Sequence, residues 1–547
     1  MKQVEIYRGA QSYAQGRNAI AGAVVMTSND PTQEWEGAAK LNMGNHRLAQ
    51  TAALISGPVV KDELAFRLSV DHQQRETAVD LPHYDPVGNP RWFKATNTRA
   101  KLLWTPSALP DLYSRLTFNH LNARAPQSET ELQPNSPRYT PERPVFQTRS
   151  ASTIWDIGYQ LSDRWKWENK LVYTHFIHDR KTTSPFNTAL PPNRRGVPAR
   201  VDGNEFQIEP IVKYESEKYR GLFGLFYFNA KQDESVTMLN GRIARTPITT
   251  NFNDKTKTKA AFGEITFTPD IPFELTLSAR YEQEHHQRKG KSAMFSINRD
   301  KKYYVFLPKA DIAWKINDNQ RLGFKVGKGY NPGGAGVTFG VPYTSYEYDA
   351  EYVWNYELYH RWISTDKRLR INSNLFYNDY KDMQLPFTLG PNSIVIRNAD
   401  KVVTYGAEIN TEWQATEKLA LNAGIGMLKT DIKRYPNSGI EGNKLARAPS
   451  FSGKLGANYR LLDHLEIGTN YSYNSSYYST ADNLANGKVG HYDQLDVYLA
   501  YDFKYARITL YADNVLNSRK DILLVPRSGD ITRQPERQIG LSTELRF

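Results

Sequence analysis

The chain has 547 residues, a net charge of +12 and no cysteine, which excludes disulfide frameworks, thiolate metal centres and cysteine nucleophiles. Mean hydropathy is −0.63, yet there are 34 Tyr, 23 Phe and 10 Trp. No stretch approaches the roughly 18 consecutive apolar residues of a membrane helix, so such a composition suits either several soluble domains or one large barrel whose lipid-facing residues alternate with polar ones.

Residues 1–33 carry no strand alternation. Gly9, Gly16 and Gly22 interrupt them and Asn29-Asp30-Pro31 closes them, which predicts a small globular element ahead of the first strand. Met1-Lys2-Gln3-Val4-Glu5 opens no apolar signal core, so the expectation is a mature chain or one lacking its natural start.

From residue 34 to 547 apolar and polar residues alternate in segment after segment, as in Leu64–Val70, Arg115–Phe118, Phe273–Leu277, Gln494–Leu499 and Arg507–Leu510. A period of two marks a strand with different surroundings on its two faces. Short connections rich in turn formers, such as Thr105-Pro106-Ser107, Thr268-Pro269-Asp270 and Asn317-Asp318-Asn319, take turns with long polar ones near 75–95, 123–151, 178–203, 230–256, 285–302, 330–350, 429–449, 476–491 and 516–537. Connections sorted by length onto two rims are the mark of an outer-membrane barrel. Merging 392–413 into one strand gives about 22 strands between Ala38 and Phe547, a width that calls for a plugged lumen.

The final strand puts Ile539, Leu541, Leu545 and the terminal Phe547 on one face and Gly540, Ser542, Glu544 and Arg546 on the other. It predicts closure of the barrel with an apolar face on lipid, and makes Phe547 a candidate assembly signal at an aromatic girdle. The same alternation puts Glu357 on the lumen side, between Tyr356 and Leu358, and Glu408 between Ala407 and Ile409.

Three groups of residues resemble the TonB-dependent outer-membrane receptors. Val4 to Ser12, Gly16 to Val25 and Asn29-Asp30-Pro31 resemble the end of that family's plug domain. Gly329-Tyr330-Asn331-Pro332-Gly333-Gly334 resembles the entry to its large seventh loop; Trp354–Leu358, Tyr405–Ile409 and Asp513–Asn517 resemble its barrel segments. The resemblance implies an all-β protein: a transmembrane antiparallel barrel over 34–547 with the C-terminal remnant of a plug in 1–33. It implies a receptor rather than an enzyme, importing a ferric siderophore or similar scarce ligand, with no cofactor. TonB, the barrel-assembly machinery and lipopolysaccharide are the implied partners of a monomer in the bacterial outer membrane. The signal peptide, TonB box and most of the plug are expected to be missing, so that TonB coupling and transport by this piece depend on the absent part.

In the family two barrel glutamates pair with plug arginines, and Arg8 matches one of those arginines. The resemblance therefore implies a plug–barrel ion pair of Arg8 with Glu357 and Glu408. The long loops carry Arg138, Arg143, Arg194, Arg195, Arg519, Lys520, Arg527 and Arg533, interleaved with Tyr139, Tyr343, Tyr346 and Tyr348. Arginines among aromatic rings suit an anionic, aromatic ferric chelate; contact with lipopolysaccharide phosphates is the blander use of the same cations. His285 and His286 are adjacent on an extended segment, so their side chains diverge and would not share a metal.

Three rival readings have different signatures. An ungated diffusion pore follows if most of the plug is missing. A secreted all-β enzyme needs catalytic carboxylates in a cleft, which do not stand out. Nucleic-acid binding needs a recognition module, and none is visible.

Overall fold

The computed structural model describes residues 2–16, 19–132, 141–239, 246–390, 393–527 and 529–547. Twenty-two antiparallel strands hydrogen-bond in chain order into a closed barrel, from Glu36–Gly44 to Gln538–Arg546. Closure is direct. The first strand pairs with the last in the register Ala38↔Arg546 to Gly44↔Gly540, and Gly37 and Phe547 exchange backbone hydrogen bonds of 2.7 and 3.0 Å. The ladder thereby loses both of its edges.

The wall is built by the alternation read from the sequence. On Glu351–Ile363, Trp354, Tyr356 and Leu358 face out while Asn355, Glu357 and Tyr359 are buried on the inner side. Outward aromatics collect at the rim of short turns, where Tyr219 stacks on Phe267 at 5.0 Å, Phe273 on Trp314 at 6.3 Å, and Trp165 lies 4.7 Å from Tyr214. Phe547 joins that rim and is 78 % exposed, as a ring meant for lipid should be.

The two rims differ as expected, with two departures. The connection 45–48, on the long-loop rim, is short. The segments 230–256 and 285–302, expected as loops, are mostly strand: Tyr219–Leu239, Pro247–Phe267, Phe273–Lys291 and Ser296–Asn317 rise well beyond the apolar band. Water replaces lipid on the outer face there, so the apolar half of the alternation is lost although the ladder continues. The long strand expected over 392–413 is present as Ser393–Gln414.

Residues before the barrel form a separate two-stranded sheet, Gln3–Arg8 with Gly22–Thr27, and the short helix Ser12–Gln15 between them. Val4 opposite Met26 and Ile6 opposite Val24 make one apolar face of this hairpin, and these four side chains are 49–70 % exposed.

Candidate functional site

Two regions gather the chemistry: the inner wall against which residues 8–16 and 28–30 rest, and the assembly of loops over the long-loop rim.

At the inner wall, Ser12 takes the place of a strand neighbour. Its hydroxyl accepts the Tyr330 N–H at 3.1 Å and donates to the Tyr330 carbonyl at 3.3 Å. Tyr330 is next to last in Gln320–Asn331 and lies beyond the last residue of that strand paired with Ser296–Asn317, so its backbone needs a partner there. Its ring is fully buried, between Tyr303 at 6.1 Å and Tyr352 at 5.6 Å. Two glycines permit the close approach. Gly329 lies where a Cβ would come within 2.9 Å of the Ala10 Cβ. Gly16 ends the helix at φ +74, against Arg280, where a side chain would meet both strain and the guanidinium.

Beneath Gly16 lie two buried charges. Arg280 donates to Glu282 at 2.7 Å, both side chains 1 % exposed, and the guanidinium sits 4.9 Å from the Phe226 ring centroid. Glu282 Oε1 has no hydrogen-bond partner among the described residues. Tyr13 adds its ring face, 4.6 Å from the Lys309 ammonium.

The expected ion pair forms in part. The Arg8 guanidinium meets the Glu408 carboxylate. Glu357 is not its partner: Lys325, directly opposite on the neighbouring strand, takes that carboxylate at 2.9 Å, and the Asn374 amide donates to it as well. A cross-strand neighbour holds the carboxylate without any help from the hairpin.

Where the hairpin joins the barrel, Asp30 accepts two hydrogen bonds from Arg115, at 2.9 and 3.1 Å. The Lys101 ammonium, 6 % exposed, donates to the carbonyls of Ser28 at 3.2 Å and Asn29 at 3.0 Å. The sequence marked Asn29-Asp30-Pro31 only as a boundary; the two cations that fix it lie on strands some seventy and eighty-five residues later.

Over the long-loop rim, Glu131–Leu132, Asp530–Arg533 and Asp521–Val525 form a three-stranded sheet that joins loops from opposite ends of the chain. Its basic residues are engaged. Arg533 reaches Glu131 at 2.5 Å and Asp521 at 3.2 Å; Arg519 lies 3.7 Å from Glu131 and also meets Glu536. Lys520 pairs with Asp493 at 2.7 Å and Arg527 with Asp482 at 3.5 Å. A cavity of about 620 Å3 beneath this cap is lined by Arg75, Glu131, Asp496, Arg519 and Arg533 among others.

Arg194 is likewise engaged, its Nε 3.0 Å from Glu142, and Arg195 donates to the Leu190 carbonyl at 2.9 Å. Arg143 donates to the Thr130 carbonyl at 2.7 Å. Arg138 and Tyr139 lie outside the described residues. Arg194 thus ties two loops together, a role its place in the sequence does not reveal because Glu142 is remote, while Arg143 and Arg195 brace their own loops through backbone carbonyls.

The tyrosines lie on another part of the rim. Ser345–Tyr348 pairs with Gly334–Val337, and Tyr346 stacks on Tyr348 at 6.3 Å and 30°. Burial raises both phenol pKa values, the nearby Arg288 opposing it. Arg299 donates to Tyr303 and lies 3.7 Å from Glu347. Arg288 bridges Glu234 and Asp254, at 2.6 Å each, over the Phe252 ring. Tyr343 packs on the apolar cluster of Val236, Met238, Phe252, Phe295, Ile297 and Val337. His285 bonds Asp300 at 2.6 Å, and among the described residues no group of three or more His, Asp or Glu is placed to hold a metal ion.

Residues 88–517 match the model of the family described as TonB dependent receptor-like, beta-barrel. Three solved structures share the architecture. The ferric yersiniabactin uptake receptor FyuA from Yersinia pestis superposes with a TM-score of 0.84 at 17 % identity, over 100 % of this chain and 85 % of that one. The siderophore receptor PiuA from Acinetobacter baumannii gives 0.80 at 14 %, over 100 % and 86 %. The copper transporter OprC gives 0.78 at 13 %, over 100 % and 85 %.

Proposed function

The chain belongs to the TonB-dependent receptor family and lies in the outer membrane, and from that premise we propose that it takes up a ferric siderophore. The observation that carries the ligand class is the stacked pair Tyr346–Tyr348 at the outer mouth, close to Arg288 and Arg299. Flat aromatic faces suit a ring-bearing chelate, while the neighbouring Arg288 and Arg299 are themselves held by carboxylates. Of the similar structures one is a siderophore receptor by name and one a ferric yersiniabactin uptake receptor; the copper transporter among them shows that this architecture also serves other cargo. No feature of the described residues favours an ungated pore.

On this reading residues 1–33 are the end of a plug and 34–547 the barrel. The apolar face of Val4, Ile6, Val24 and Met26 is where further plug would pack, and the Ser12, Asp30 and Arg8 contacts hold the plug's end to the wall. TonB is the energy-coupling partner, the barrel-assembly machinery the insertion partner, and the receptor acts as a monomer.

The test is ligand binding by the purified protein in detergent, read by tryptophan fluorescence. Saturable quenching by a ferric catecholate or phenolate chelate is expected, weakened at least about tenfold in a Tyr346→Ala, Tyr348→Ala variant. Quenching by free Cu2+ but by no ferric chelate would overturn the assignment.

A further inference from the structure

Four adjacent strands present an unusual outer surface just above the lipid-facing band. Along Pro247–Phe267 the sequence Lys255-Thr-Lys257-Thr-Lys259 puts three lysines outward, while Thr256 and Thr258 are buried. The register lines up more. Lys231 stands directly opposite Lys255, and His285 lies between Lys257 and Lys302. Lys231, Lys255, Lys257, Lys259 and Lys302 are all exposed.

None of these five lysines has a carboxylate within ion-pair distance among the described residues, unlike the paired cations of the cap. The two carboxylates on this surface are engaged elsewhere: Asp300 accepts from His285 and Gln287, both at 2.6 Å, and Asp233 accepts from Asn253 at 2.7 Å. Like charges directly opposite each other on a sheet destabilise it. Such a field calls for an anion from outside the chain.

The height of the patch identifies the source. One residue pair below Lys259 the surface turns apolar: Leu225, Tyr281 and Phe306 are 50, 54 and 55 % exposed. Phe267, in the aromatic girdle of the opposite rim, is eight residues from Lys259 on the same strand. That is about 27 Å of strand and roughly 20 Å of barrel height at a tilt of about 40°. The apolar band of such barrels is about 25 Å tall; Lys257 and Lys255, further along the same strand, stand roughly 26 and 31 Å up by the same geometry, and the flexible stem of Lys259 carries its ammonium to the same headgroup level of the outer leaflet.

We propose that Lys231, Lys255, Lys257, Lys259 and Lys302 form a binding site for the phosphates of an outer-leaflet glycolipid, lipopolysaccharide, whose acyl chains lie on Leu225, Tyr281 and Phe306 below. Each phosphate offers several acceptor oxygens, enough to engage two ammonium groups spaced one strand apart. The column of rings and leucine beneath supplies apolar contact for the chains of the same molecule. The site is independent of the cargo and of residues 1–33, and it requires only the outer-membrane location.

The experiment is native mass spectrometry of the purified full chain in detergent with bisphosphorylated lipid A. The wild type should retain bound lipid A. A variant carrying Lys255→Gln, Lys257→Gln, Lys259→Gln and Lys302→Gln should retain at least about tenfold less. The matching four-fold Lys→Arg variant should retain it, because charge and donors survive. Lys418→Gln at the opposite rim should change nothing. Equal retention by the Gln variant would overturn the site, as would equal loss in the Arg or Lys418 variants. Displacement of lipid A by an equal concentration of phosphatidylglycerol, or by inorganic phosphate alone, would also overturn it by showing that a phosphorylated glycolipid is not what is recognised.

Discussion

Arg8 and Glu408 stand 400 positions apart in the chain, and their side chains meet inside the barrel. The pair is wet: the arginine side chain is 58 % exposed and the glutamate 28 %. An ion pair so placed contributes about 0–1 kcal/mol. Arg8→Ala should therefore raise the protease sensitivity of residues 2–27 only slightly. Glu357→Gln should not alter it at all, because that carboxylate belongs to Lys325. Rapid cleavage of the hairpin in Arg8→Ala, or in Glu357→Gln, would show a tighter coupling than this geometry supports.

Ser12 carries more. Replacing it with Val leaves the buried N–H of Tyr330 without its acceptor, at a cost of about 1–3 kcal/mol. Hydrogen exchange at the Tyr330 amide should accelerate by roughly ten-fold or more. Ser12→Thr, which keeps the hydroxyl, should restore most of the protection. Exchange unchanged by Ser12→Val would mean that the wall, not the helix, protects this amide.

The cap predicts an inversion of the obvious mutational logic. Glu131 holds both Arg519 and Arg533. If those arginines captured an anionic ligand, Glu131→Gln would free them and tighten binding. In the structure they hold a sheet together, so Glu131→Gln should loosen residues 516–537 to limited proteolysis and weaken ligand binding. Glu131→Gln and Arg533→Gln combined should cost less than the sum of the two, by the coupling expected of residues in direct contact. Tighter ligand binding by Glu131→Gln would return these arginines to the ligand.

Phe547 exchanges two backbone hydrogen bonds with Gly37 and adds its ring to the girdle. Deleting it should slow insertion into the outer membrane, measured as the fraction of heat-modifiable folded barrel after pulse labelling. Insertion at the normal rate and yield would remove Phe547 from the assembly signal.

Much of this molecule is legible in the sequence because the membrane imposes a period of two on every wall segment. Tyr356, Glu357 and Leu358 could be assigned their faces without a structure, and so could the last strand. The signal fades where lipid ends. Lys255, Lys257 and Lys259 alternate with threonines rather than apolar residues, and 230–256, which includes the first of them, reads as a polar loop although the ladder runs through most of it. Partner choice was harder still. The family resemblance implies Arg8 as the partner of Glu357, whereas Lys325 lies opposite it in a register that only the assembled sheet reveals. The buried Arg280 and Glu282 gave a visible hint, charged residues in step on an inward face, but inward in a wide barrel normally means wet. Here Gly16 and the Phe226 and Phe262 rings lie against them, and both side chains are 1 % exposed.

The pairing of Glu36–Gly44 with Gln538–Arg546 has a consequence for biogenesis. Glu36–Gly44 must wait until Gln538–Arg546 has been synthesised before its outer edge can be covered. Until then the nascent ladder offers free N–H and C=O groups at both ends, the condition under which strands pair with the wrong chain. Folding segment by segment during translation cannot finish this architecture. The chain has to be carried as an open polymer and joined end to end afterwards, a closure over about 500 residues that is intrinsically slow without help.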